Sequence, residues 1–194
     1  MKIAFVGIST PKTITTSTPT YFQDDEGNYI FGFMQDQTGE KLYAAVQSAV
    51  DAARKEGAKY VIAMAHLGIE ADCQPWTSSD VIVNTSGIDA VLDGHSHSTI
   101  VGDMVKNKEG KEVILTSTGT KLANIGCLTI SADGKISSTL INDDGVLDHL
   151  LQLAVFGAPL IFRDIAQLIQ QRLLHAQRVS AQRILHFAAS MTKY

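Results

Sequence analysis

The segment Ile88-Asp-Ala-Val-Leu-Asp-Gly-His-Ser-His97 constrains this chain more than any other. An apolar run that reads as a buried strand empties into a glycine and then presents two histidines in alternation. The strand fixes the backbone, Gly94 permits a close turn, and His95 and His97 each offer a neutral imidazole nitrogen at its end. Val61-Ile-Ala-Met-Ala-His66-Leu-Gly68 repeats the layout with a third histidine. Three histidines at two strand ends form the pattern of a metal site hung on a sheet. A lone histidine is more often a hydrogen-bonded structural residue, and His149, His175 and His186 are read that way.

Around these segments the chain alternates. Residues 2–8 read as a buried strand, and 9–37 as a long loop rich in Thr, Pro and Asp, with a short extended piece near Tyr29 to Phe33. Leu42, Val46, Ala49, Val50 and Ala53 keep one helical face, which Thr38 is placed to cap and Gly57 to end. Residues 59–65 return as a strand, Ser78-Ser79 is placed to cap a short helix over 80–84, and 88–93 forms the next strand. That order predicts an α/β fold with a parallel or mixed sheet covered by helices. Two hairpins follow: 101–106 with 112–117 across Asn107-Lys-Glu-Gly110, and 125–131 with 135–141 across Ala132-Asp-Gly134.

Residues 146–194 differ in composition from the rest. Ten Lys and one Arg precede them, whereas four Arg (163, 172, 178, 183) and one Lys fall inside, and their acids are Asp148 and Asp164 alone. Residues 1–145 therefore read as one domain, and 146–194 as a helical tail of different origin. The tail's apolar run, 150–162, contains Pro159 and is too short to cross a bilayer.

The net charge is −4 and the pI about 5.8. That balance lacks the basic footprint of a nucleic-acid binder and argues against large nucleic acids as partners, while leaving room for a small phosphorylated ligand held through metal ions. Cys73 falls in a polar loop and Cys127 in an apolar strand pattern, where it reads as a small core residue; no disulfide is expected. About seven apolar-leaning residues precede Ser9-Thr-Pro11, short of a secretory leader or a membrane span.

On its motifs the chain resembles the calcineurin-like metallophosphoesterases, specifically the bacterial branch of 5′-nucleotidases, UDP-sugar hydrolases and 2′,3′-cyclic-nucleotide phosphodiesterases. Gly94-His-Ser-His97 resembles the family's Gly-His-x-His, and Ala65-His66-Leu-Gly68 its preceding Ser/Thr-His-x-Gly. Lys2 to Pro11 resembles the strand that opens the second half of the catalytic domain; Ser117-Thr-Gly119, Lys121 and Gly126 fit the segment after the histidine motif. The resemblance covers residues 1–142 and implies half of a mixed-sheet sandwich. First-half counterparts are lacking: Asn-His occurs nowhere, and Asp-x-His occurs only as Asp93-Gly-His95, inside the histidine motif. Members of this branch are commonly exported or wall-anchored, so an internal start at Met1 is an alternative to a leaderless protein and location is left open.

The resemblance implies that His66 and His95 ligate one divalent ion and His97 a second, Zn²⁺ or Mn²⁺. Asp93 and Asp72 are near enough in sequence to orient them, though both also read as ordinary loop carboxylates. The implied activity is two-metal hydrolysis of nucleotides or other small phosphoesters, with no residue assignable as the acid for the leaving group. Trp76 is placed either to wall a substrate pocket or to anchor the loop after His66. Tyr21, Phe22, Tyr29, Phe31 and Phe33 read as core and loop packing in preference to a base-stacking surface. A half-domain has two alternatives: a non-catalytic binding or structural module, or complementation by a second chain. Its uncovered sheet face and unpaired edge are expected to lead to association, to aggregation or to capping by the tail.

Overall fold

A computed structural model describes residues 1–121 and 123–142. The expected helical tail over 146–194, with His149, His175 and His186, lies outside the described residues. The described part is a mixed α/β unit. Strand β1 (Ile3–Ser9) leads through a short helical turn α1 (Thr13–Thr16), a 3₁₀ turn (Pro19–Phe22) and a long loop into helix α2 (Glu40–Lys55). Strand β2 (Tyr60–His66), a 3₁₀ turn (Ala71–Cys73), helix α3 (Ser78–Asn84) and strand β3 (Ala90–Asp93) follow. The chain then forms strands β4 (Thr99–Lys106), β5 (Glu112–Thr118), β6 (Ile125–Ile130) and β7 (Ile136–Ile141).

Five strands form one sheet in the order β1-β2-β3-β5-β4, with only β4 antiparallel to its neighbour. Both predicted hairpins are present, β6–β7 as a separate two-stranded sheet. The alternation of side chains along each strand divides the sheet into two faces. On one, Ile8, Val61, Ala63, Val91, Val113 and Leu115 pack against Leu42, Val46 and Val50 of α2 and Val81 and Ile82 of α3. Each buried Val, Leu or Ile among them contributes on the order of 1.5–3 kcal/mol of hydrophobic stabilisation. On the other face, Ile62, Ala90 and Ile114 are covered by Leu128 and Ile136 of the β6–β7 hairpin.

That hairpin explains why β1 is not the buried strand its composition suggests. β1 lies at the sheet edge, and its odd-numbered side chains point to the face opposite the helices, beyond the hairpin's cover. Phe5 is 65% exposed, and Ile3 and Met64 are exposed beside it. The cysteine expectation also reverses. Cys73 is buried under the loop after β2, whereas Cys127 is only half-buried on the hairpin, whose outer side chains face water; both are free thiols.

Helix α2 ends as expected, with Gly57 in the left-handed region at φ +86. Its cap differs. The Asp36 carboxylate accepts the N–H groups of Thr38, Gly39 and Lys41, so three otherwise unpaired donors at the helix start share one anion. On α2 itself Ala49 faces water. On α3 the cap is Thr77, not Ser78-Ser79: its hydroxyl accepts Asp80 N–H at 3.0 Å while Asp80 accepts Thr77 N–H at 3.1 Å.

At the N-terminal ends of the parallel strands, Asp89 is nearly buried and takes Arg54 at 2.5 Å, Lys111 at 3.1 Å and Val61 N–H at 2.8 Å. This lock leaves the opposite, C-terminal ends of the strands to the loops that carry the histidines.

Candidate functional site

Three loops leave the C-terminal ends of β1, β2 and β3 on the same side of the sheet, the edge at which ligands bind in open α/β sheets. Thr10 N–H donates to the carbonyl of His66 at 3.0 Å, tying the first loop to the second. Asp93, the last residue of β3, accepts Leu67 N–H at 3.0 Å and Gly68 N–H at 3.2 Å. Ser96 Oγ accepts Ile69 N–H at 2.8 Å, so the second loop is laced to the third at consecutive residues.

The lacing brings His66 and His95 together. His95 Nδ1 lies 3.2 Å from His66 Nε2, the rings meeting edge to face with centroids 5.0 Å apart. Two glycines make room for this approach. A Cβ on Gly94 would stand 3.2 Å from His66 Nδ1, and one on Gly68 would stand 2.5 Å from Ser96 Oγ and 3.1 Å from His95 Cδ2. Gly68 also sits at φ +82, a conformation that other residues adopt at a cost.

His95 and His97 both hold left-handed backbone, at φ 66 and 55. Such conformations cost on the order of 1 kcal/mol or more for non-glycine residues and concentrate at functional sites. His97 is exposed and stands outside the pair. Among the described residues no three or more His, Cys, Asp and Glu side chains converge as a metal-holding group.

The electrostatics favour a neutral imidazole at His95. Burial comes first in pushing its pKa below the ordinary 6.5, followed by the neighbouring His66 and the charge of Lys12. Lys12 pairs with Asp72, Nζ to Oδ2 2.7 Å and Nζ to the Asp72 carbonyl 3.0 Å. Their hydrogen bond raises the pKa of Lys12 and lowers that of Asp72. Burial is the largest cause of the raised pKa of Cys73, which suits an inert thiol under the loop.

The separation of the two ring nitrogens is that of a hydrogen bond between imidazoles and also that of two ligands on one ion. Two imidazole ligands on a tetrahedral ion, bonded at about 2.0–2.1 Å, stand about 3.3 Å apart, and the pair is separated by 3.2 Å.

Of the orienting carboxylates considered from sequence, Asp93 holds the His66 loop and Asp72 holds Lys12. Trp76 packs, partly buried, against the core cluster. Phe22 and Phe33 pack edge to face within their loop, while Tyr21, Tyr29 and Phe31 are exposed. Sequence reading missed Lys12, Ser96 and the buried Cys73. Only Ser96 carried a signal, a small hydroxyl between two histidines after a glycine.

No protein-family model and no curated protein sequence matches the chain. Among solved structures the chain is similar to the NAD nucleotidase of Haemophilus influenzae, at 19% identity and a TM-score of 0.47. The alignment covers 72% of this chain and 27% of that one, so the chain spans about a quarter of that protein's length.

Proposed function

We propose that the chain carries part of the metal site of a phosphoester hydrolase of 5′-nucleotidase type, acting on nucleotides or other small phosphoesters. The observation that carries the reading is the His66–His95 pair. Two nitrogens lie at ligand spacing on loops that two further side chains hold in place, within motifs that resemble that family's. In this reading His66 and His95 hold one divalent ion, and His97 serves a second; Zn²⁺ and Mn²⁺ both suit nitrogen donors.

The chemistry that such ions supply is neutralisation of phosphoryl charge and generation of a nucleophilic hydroxide near neutral pH. The chain's own contribution is positional. Asp93 and Ser96 fix the loops, Gly68 and Gly94 leave room for the rings, and burial keeps His95 available as a neutral donor. No side chain here is assigned the proton delivered to the leaving group.

Metal content of the purified protein, read beside Mn²⁺- or Zn²⁺-supported phosphate release from AMP, tests the proposal. Turnover that disappears in His95→Ala supports it; turnover that survives sinks it. A second reading, a non-catalytic binding module holding at most one ion, is favoured by the lack of a third convergent donor among the described residues. It predicts one equivalent of metal or less and no turnover. Restoration of turnover by a second chain that contributes carboxylate ligands would return the site to the hydrolase reading.

A further inference from the structure

We infer that Gly119 is the positioning residue of His97, so that the two histidines of Gly94-His-Ser-His97 are placed independently, each by a different loop. The inference rests on the phosphoester reading above and adds to it a residue that governs the second ion alone.

Strand β5 runs parallel to β3, so the loop that follows it, beginning at Gly119, leaves the sheet at the same edge as the three loops of the site. Residues 93–96 of the histidine motif are bonded to the loop after β2, Asp93 to Leu67 and Gly68, and Ser96 to Ile69. His95 lies inside that stretch. Ser98 is held from the other side. Its carbonyl accepts Gly119 N–H at 3.0 Å, one step beyond the Thr99–Thr118 pair at the end of the β4–β5 ladder. The Ser98 hydroxyl reaches Glu70 at 3.5 Å, long for an O–H···O bond, so the carbonyl bond is the firmer hold. His97 falls between the two attachments, in left-handed backbone at φ 55.

Only glycine suits position 119. Its φ is +81, which other residues adopt at a cost. A Cβ there would stand 2.8 Å from Thr99 Oγ1 and 4.0 Å from the His97 carbonyl oxygen. Thr99 is β-branched and has little χ1 freedom with which to yield. A side chain at 119 therefore displaces residues 97–99 and leaves the hydrogen bonds of 93–96 in place. Asn124 braces the same loop, its Nδ2 donating to the Thr118 carbonyl at 3.0 Å. Groups that orient a metal-ligating histidine typically account for about 10–100-fold in metal affinity.

The test uses the full chain and two readouts. In metal-free protein, nuclear magnetic resonance of Gly119→Ala should show the amide and ring signals of His97 shifted and those of His66 and His95 unmoved. In a Mn²⁺ titration, the equivalent that His97→Ala removes should lose about tenfold in affinity in Gly119→Ala, while the equivalent that His95→Ala removes keeps its own. Adding Thr99→Ala to Gly119→Ala relieves the close contact and should restore part of the loss, a rescue that general loosening of the fold would not give. Asn124→Ala leaves the glycine in place and should shift the His97 signals by less; it decides the matter if Gly119→Ala does not fold. His97 signals that stay in place in these variants overturn the assignment, as does an equal loss of both ions. A wild type that takes up one equivalent of Mn²⁺ or none removes the second ion from the phosphoester reading, and the metal-free His97 signals then judge the role of Gly119 by themselves.

Discussion

His66 and His95 come within 3.2 Å of each other, ring nitrogen to ring nitrogen, although they are not partners in the sheet. Pairing between β2 and β3 stops at Met64 and Leu92, two residues short of His66 and three short of His95. Loop contacts beyond the ladder therefore set the distance between the rings, and Asp93 makes two of those contacts.

Asp93→Ala should loosen the pair. It removes the acceptor of two backbone N–H groups and should cost about 1–3 kcal/mol, measured by urea unfolding. Zn²⁺ affinity, measured by competition with a chromophoric chelator, should fall with it. Asp93→Asn retains an oxygen in place and should lose less of both. Unchanged Zn²⁺ affinity in Asp93→Ala would show that Ser96 and the Thr10–His66 bond hold the loops unaided.

The histidines themselves should behave as one unit. His66→Ala and His95→Ala each remove one of two donors to the same ion and should each weaken Co²⁺ binding at least about tenfold. The double variant should add little beyond either single change, because one remaining imidazole holds little by itself. His97→Ala should leave this ion's visible Co²⁺ spectrum intact. A spectrum altered as much by His97→Ala as by His95→Ala would place His97 on the same ion.

The fold was legible where local pattern decides it. The helical period of Leu42, Val46 and Val50 and the turns at Gly110 and Gly134 located the elements to within a few residues. Helix caps were less so. Asp36 and Thr38 are both capping types, and the choice between them depends on which side chain the preceding loop aims at the helix start. The placement of His66 and His95 at neighbouring strand ends was legible because residue type and spacing follow those ends. Lys12 was not, since its partner is 60 residues away and nothing in either segment specifies the pairing. The burial of Cys73 and the exposure of Phe5 depend on what covers each face, which a strand's own composition does not encode.

Acid should reveal the Asp36 cap. Its carboxyl is held below the usual 3.8, first by the hydrogen bond from Lys41 N–H. A group whose folded pKa is depressed contributes stability that is present above its unfolded pKa and lost as pH falls through the folded value. The melting temperature should therefore drop as pH falls from about 4 toward 2, and Asp36→Asn should flatten the drop. Asp24, Asp72 and Asp133 shift in the same direction, so the difference between wild type and variant isolates Asp36. Parallel melting curves across that range would exclude an ionised Asp36 as the cap.

Phe5 and Ile62 are neighbours in register on one face of the sheet, yet they should respond to substitution in opposite ways. Ile62 is 2% exposed beneath the β6–β7 hairpin, and Ile62→Ala should cost about 2–5 kcal/mol by leaving a cavity. Phe5 is on the uncovered part, where surface substitutions usually stay within about 0.5 kcal/mol. Phe5→Ser should therefore leave the unfolding midpoint nearly unchanged, while lowering binding of an apolar dye and shifting light scattering toward the monomer, because an exposed apolar strip beside a strand edge that is unpaired among the described residues promotes association. A loss of stability in Phe5→Ser comparable to that of Ile62→Ala would mean that this face is covered in solution.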